Sequence, residues 1–244
     1  MARFKSVNDI VNQVAVEVGL QKQTDVFSAA DATFAQLISL ANAAGNEIIQ
    51  DGTWQVLTRA HSITTQAADS GKYPLPADFS YMIDQTGWDN TNNVPVGGSL
   101  SPQDWTYLEG RDLVSHTIYA SFRQVENEFW LYPQPPPEGL HISFEYVSTN
   151  WVLDEGMADQ FSDTLNKPSD IVLFQPYMFE RLLKLRYLEA KGLDTTAAST
   201  VYTRSLDAWD GKETSAPILN AANSGRGLPY LDIYRNTPDT NFGR

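Results

Sequence analysis

The sequence contains no cysteine, only three histidines, and 17 Lys+Arg against 30 Asp+Glu in 244 residues. The missing cysteines exclude disulfides, thiolate nucleophiles and Cys-ligated zinc, and leave the redox compartment open. A net charge of −13 repels phosphates, which excludes wrapping nucleic acid by counterion release as a main activity but is compatible with DNA sliding past. No run reaches about 18 consecutive apolar residues, so no membrane contact through a spanning helix is expected. Met1 to Lys5 carries two cations, but Ser6, Asn8, Asp9, Asn12 and Gln13 break the apolar stretch that an export signal needs. A soluble chain made in the cytoplasm is the expectation. The length is ample for a core that needs no covalent staples.

Catalytic patterns are equally scarce. His61, His116 and His141 are scattered over predicted strands, and none has a second histidine three or four residues away. No serine sits in a Gly-x-Ser-x-Gly elbow, and no glycine-rich loop precedes a Lys-Ser/Thr pair. Gly97-Gly98 is taken as a turn. The acidic set Asp154, Glu155, Asp159, Asp163 and Asp170 lacks the one, three, five spacing of a calcium loop and is expected to be a solvated loop. No enzyme, catalytic residue, metal site or cofactor is therefore expected. Trp88, Trp105, Trp130 and Trp209 fall where core or lobe contacts want large rings.

What the chain does have is periodicity at both ends. Val7, Ile10, Val11, Val14 and Val18 mark a short amphipathic helix that Gly19 can end. A longer helix is expected from Ser28 as N-cap, with Asp31 in its first turn, Phe34, Leu37, Ile38, Ala41, Ala44 and Ile48 as its stripe, and Gly52 as its stop. The alanines Ala41, Ala43 and Ala44 allow another element close approach. Near the other end, Phe179, Leu182, Leu183, Arg186, Tyr187 and Ala190 share one face of a helix that opens at Pro176, with Glu180, Lys184 and Glu189 opposite. A last helix is expected from Thr196 to Asp210, stopped by Gly211.

Between these lie about a hundred residues with β texture. Candidate strands are Gln55 to Thr64, Tyr81 to Thr86, His116 to Gln124, Glu128 to Tyr132 and Leu140 to Ser148. The third and fourth form a hairpin about Val125-Glu126-Asn127, and the fifth is expected to extend it into a meander after Pro133 to Gly139. Ser101-Pro102-Gln103-Asp104-Trp105 has a cap, then proline at the first helical position, then an acid, and predicts a helix to about Glu109. The expected fold class is α+β: a helical bundle built from both ends of the chain, with an inserted antiparallel β lobe and an extended C-terminal arm. The corresponding division is a main domain over 1–217, with helices in 5–52 and 171–210 and the lobe at about 53–153, followed by the arm over 218–244.

That arm lacks periodicity and is rich in Asn, Gly and Pro, yet it carries spaced apolar anchors. Leu228, Tyr230, Leu231, Ile233 and Tyr234 are candidate anchors for a partner groove, and Arg226 and Arg235 candidate ion-pair partners to an acidic rim. Such a segment orders on binding.

Three stretches together resemble one family. Gly71-Lys72-Tyr73-Pro74-Leu75-Pro76-Ala77-Asp78-Phe79 carries a Tyr-x-Leu-Pro-x-Asp-Phe element. Ile83 to Asp89 with Val94-Pro95-Val96 matches the strand and turn that follow it, and Ser101 to Trp105 matches the next helix start. In this order, after a long helix and Trp54, they resemble the head-to-tail adaptors of tailed bacteriophages, especially the tail-tubular type of short-tailed phages, over roughly residues 5 to 210. The resemblance implies a structural virion protein at the head-tail junction, assembled in the host cytoplasm. It implies a ring, commonly of twelve copies, between the portal protein and the tail nozzle protein. DNA would pass through its lumen during packaging and ejection without sequence-specific binding, and the C-terminal arm would grip the portal. The alternative is a ligand-binding module of a virion protein, in which Trp130 or Trp151 stacks on a host-surface glycan.

Overall fold

Five α-helices and twelve strands are present among the residues described by this computed structural model, namely 4–67, 69–111, 121–155 and 160–213. In chain order the first are β1 (Lys5–Ser6), α1 (Val7–Glu17), α2 (Ala32–Asp51), β2 (Thr58–Thr64), β3 (Lys72–Pro74), β4 (Phe79–Met82), β5 (Trp88–Asp89) and β6 (Val94–Pro95). There follow α3 (Pro102–Arg111), β7 (Ser121–Val125), β8 (Glu128–Tyr132), β9 (His141–Ser148), β10 (Val152–Leu153), β11 (Phe161–Ser162), β12 (Ile171–Val172), α4 (Pro176–Ala190) and α5 (Thr196–Glu213).

The helical bundle expected from the two chain ends is not what forms. Among the described residues helices hold only 39%, the strands make three antiparallel sheets, and the fold is a β-rich α+β. Part of the layer expected to be purely helical is a four-stranded sheet of order β1-β12-β10-β11, whose strands are two residues long. Two residues are too few to show any periodicity, so the sequence pattern carries no trace of them. Their neighbours Val147, Trp151, Val152, Val172, Leu173 and Phe174 fill one apolar cluster with residues of α1, α2 and α4.

Local chemistry sets the helix ends. At α1, Ser6 Oγ accepts the Asp9 amide at 3.2 Å. At its far end Gly19 adopts φ +86, which lets the Leu20 amide reach back to the Ala15 carbonyl at 2.8 Å. α2 starts four residues after the expected Ser28, because Asp31 Oδ1 is itself the cap and accepts the Thr33 amide at 2.9 Å. The segment before it is held off the helical path by α1. Asn12 accepts the Gln23 amide and donates to the Gln23 carbonyl, each at 2.8 Å, and Asn8 accepts the Val26 amide at 3.2 Å. Gly211 does not stop α5, which runs on to Glu213.

α4 packs against α1, α2 and α5, so it is buried on more than the single stripe its spacing suggests. Glu180, expected on its solvent face, is buried and accepts from Lys5 Nζ at 2.8 Å. The closest approach is made by Gly45 of α2, on which the fully buried indole of Trp151 lies. Trp151 in turn stacks on Phe174 and meets Phe179 at centroid distances of 5.9 and 5.7 Å.

A second apolar cluster contains Ile63, Leu75, Val96, Phe122, Phe129, Leu131, Ile142, Phe144 and Tyr146. It lies between a sheet in which β9 pairs with β2 on one edge and with β4 and β5 on the other, and a sheet of order β3-β8-β7. The β7–β8 hairpin turns at Glu126 with φ +53. The expected meander does not form, since β9 joins the other sheet. β9 itself holds no proline, and its edges are taken by β2 on one side, paired from Thr58↔Val147 to Thr64↔His141, and by β4 and β5 on the other. The two sheets then face each other through the near-parallel rings of Phe129 and Phe144 at 5.1 Å, and Phe122 stacks on Phe129 within its own sheet at 4.8 Å.

Candidate partner interface

The three motif stretches have architectural work. Leu75 is buried in the second cluster, and Asp78 accepts from Ser148 Oγ at 2.6 Å and from Tyr146 Oη at 3.0 Å. The Asp78 carbonyl also takes the Thr149 amide at 2.8 Å, so one residue fastens the start of β4 to the end of β9. Burial, with the Asp78 hydrogen bond and charge behind it, pushes the Tyr146 hydroxyl up to about 12. Asp89 is fully buried and closes a turn by accepting the Thr91 and Asn92 amides at 2.9 and 3.2 Å. Ser101 caps α3, its Oγ accepting the Asp104 amide at 3.1 Å, as the sequence predicts. Trp105 is turned inward against Trp130 and Tyr132.

The residues with catalytic potential are dispersed. His61 meets the edge of Phe144, and burial lowers its pKa. His141 Nδ1 lies 3.2 Å from Thr64 Oγ1, and His116 is outside the described residues. In the acidic set, Asp154 pairs with Lys167 at 2.5 Å, and Asp170 is buried where it accepts the Asn166 and Lys167 amides at 2.7 and 2.8 Å. Asp159 is not among the described residues, and among those that are, no three His, Cys, Asp or Glu side chains are grouped to hold a metal. No helix among the described residues is long and apolar enough to cross a membrane. Trp151 is fully buried and presents no ring to a glycan.

Several cations of the helical layer are matched to carboxylates. Glu17 accepts from Arg181 at 2.5 Å and from Lys184 at 2.9 Å, and the Arg181 hydrogen bond leads in bringing its pKa down to about 2. Arg186 binds Glu47, with one bond at 2.8 Å, and Glu189 at 2.6 Å, and the Glu47 bond leads in raising its pKa. These pairs tie α4 to α1 and α2.

One surface is different. Along the first turn of α4 and residues 201–212 of α5 runs a groove of about 440 Å³ lined by Gln175, Tyr177, Val201, Arg204, Trp209 and Lys212, with Ser205 and Ala208 between them. Tyr177 and Val201 are 49% and 37% exposed. Lys212 lies over the Trp209 ring and Arg181 over the Tyr177 ring, at 5.6 and 5.0 Å. Tyr177 comes alongside Val201 and Trp209 only because α4 and α5 are antiparallel neighbours. The anchors predicted from the sequence, Arg226, Leu228, Tyr230, Leu231, Ile233, Tyr234 and Arg235, all lie outside the described residues.

In this β-rich α+β domain the three motif stretches fasten strands and cap a helix. The chain belongs to the SU10 adaptor protein family, whose model matches residues 5–207. This is a family of structural adaptors of the phage virion and not an enzyme family. No curated protein matches the chain.

Proposed function

We propose that this chain is the head-to-tail adaptor of a short-tailed phage, assembling as a ring of twelve copies between the portal and the tail nozzle. The observation that carries the reading is the adaptor-family match across residues 5–207. The ring stands at the head-tail junction, forms in the host cytoplasm, and lets DNA through on packaging and ejection. The acidic balance suits a lumen that must not hold DNA, because carboxylates facing it repel the phosphates. Residues 1–217 are the adaptor domain, and 218–244 are an arm that grips the portal. Leu228, Tyr230, Leu231, Ile233 and Tyr234 fill its groove, and Arg226 and Arg235 pair with acids on its rim.

Native mass measurement tests this on the full chain and on a version ending at Pro217, each alone and mixed with the portal ring of the same phage. The expected result is a stoichiometric ring of the full chain on the portal and its loss on truncation, with the melting temperature kept. A chain that ignores the portal in both forms overturns the reading. A truncated chain that binds as well as the full one overturns the role of the arm.

A further inference from the structure

We propose that the groove between α4 and α5 docks the acidic surface of a second copy of this chain, an inference that rests on the ring reading above. The lining supplies two cations and two large rings but no carboxylate, in a chain with an excess of 13 acids. Elsewhere in the helical layer Lys5, Lys167, Arg181, Lys184 and Arg186 are bound to carboxylates, whereas Lys22 and Lys191, the latter over the Tyr187 ring, stand apart from this groove. Arg204 and Lys212 are exposed and have no carboxylate partner among the described residues. Their charges are thus available to an outside anion, and Tyr177 and Trp209 beside them supply the ring area on which interfaces concentrate binding energy.

Charge selects among the occupants. Residues 214–244 contain Arg226, Arg235 and Arg244 against Asp232 and Asp239, so the chain's own tail has the same sign as the groove. Nucleic acid gains at most two phosphate contacts there against the repulsion of the whole chain. A second copy brings the acidic excess, all of which lies in residues 1–213. Groove against groove would set Arg204 and Lys212 against themselves, so a two-fold contact is disfavoured. The groove must meet a different face of the neighbour, which is a head-to-tail contact and the kind that closes into rings.

The test compares self-association of the full chain, by sedimentation and native mass, for wild type, Arg204→Glu/Lys212→Glu and the charge-matched control Lys22→Glu/Lys72→Glu. All four sites are exposed. At about 50 mM salt the groove variant is expected to lose about tenfold or more in association constant. Its melting temperature should stay within about 2 °C of wild type, and the control should stay within about threefold in association. Equal losses in both variants reduce the effect to net charge and overturn the groove, as does a groove variant that associates like wild type. Loss of self-association on truncation at Pro217 alone moves the contact to the tail and overturns it too. Wild type that stays monomeric both alone and on the portal overturns the ring reading and the groove together, whereas a portal-bound ring of the groove variant overturns the groove alone.

Discussion

Replacing Gly45 by alanine adds one methyl group at the most crowded point of the larger core. That methyl would stand closer than 3.0 Å to three atoms of the Trp151 ring, Cζ2, Cε2 and Cη2. The ring has no room to retreat, being fully buried between α2 and the Phe174 and Phe179 rings at 5.9 and 5.7 Å. Its Nε1 has no hydrogen-bond partner among the described residues, so shape alone holds it. Overpacking costs about 1–3 kcal/mol, and the upper end applies where the displaced group is rigid and enclosed. Alanine returns ~1 kcal/mol of helix propensity over glycine. The net loss is about 2 kcal/mol, which for a chain of this size lowers Tm by about 4–8 °C. Thermal unfolding followed by circular dichroism measures it. In a Trp151→Leu background the methyl meets a smaller side chain, and the cost of Gly45→Ala should fall by about 1 kcal/mol or more. A Tm that rises on Gly45→Ala, or an equal cost in both backgrounds, refutes the close-approach argument.

Asp78→Ala leaves the buried Ser148 hydroxyl and the Tyr146 hydroxyl without their acceptor, so unfolding in urea should show a loss of about 2–3 kcal/mol. Glu17 is held at about 2 in the folded state, below its ordinary 4.5, so its pairing stabilises the protein above pH 4.5 and the benefit drains away as pH falls toward 2. Glu17→Gln should therefore cost about 1–2 kcal/mol at pH 7, partial solvent exposure included, and differ little from wild type near pH 2 by urea midpoint. Asp31→Ala removes the cap of α2 and should cost about 1 kcal/mol, whereas Ser28→Ala should leave stability within about 0.5 kcal/mol in the same assay.

These contrasts show what was legible in the sequence. Ser101 with Pro102 announces α3 because the cap, the fixed proline φ and the acid all act within one turn. Gly19 does the same for the end of α1. Ser28 misleads because its competitor Asp31 is as good a cap, and the side chains that decide between them, Asn8 and Asn12, act on Gln23 and Val26 from the preceding helix. The β7–β8 hairpin is local and legible, but the sheet that β9 joins depends on partners about eighty residues earlier. The four-stranded sheet is invisible for a further reason. Each strand is only a pair of residues, and β1 at the start of the chain finds its partner in β12 near the other end, so no local pattern betrays the sheet. The interface is split in the same way. The proposed tail anchors stand out by composition, while the groove exists only once Tyr177 and Trp209 have been brought together by the α4–α5 hairpin.

In the proposed ring the cations separate folding from assembly. Arg181, Lys184 and Arg186 bind carboxylates at part-buried positions, where mobile ions screen poorly, and their pairs join α4 to its neighbours within one chain. Arg204 and Lys212 stand exposed on α5, where a Debye length of about 10 Å at 0.1 M salt already weakens long-range attraction. Added salt therefore acts first on contacts between copies and only weakly on the fold. Raising salt from about 50 mM to about 0.5 M should dissociate wild-type assemblies at nearly constant Tm. A Tm that falls in step with dissociation would mean that the folded chain depends on its neighbours, and that the part-buried pairs do not hold the helical layer together unaided.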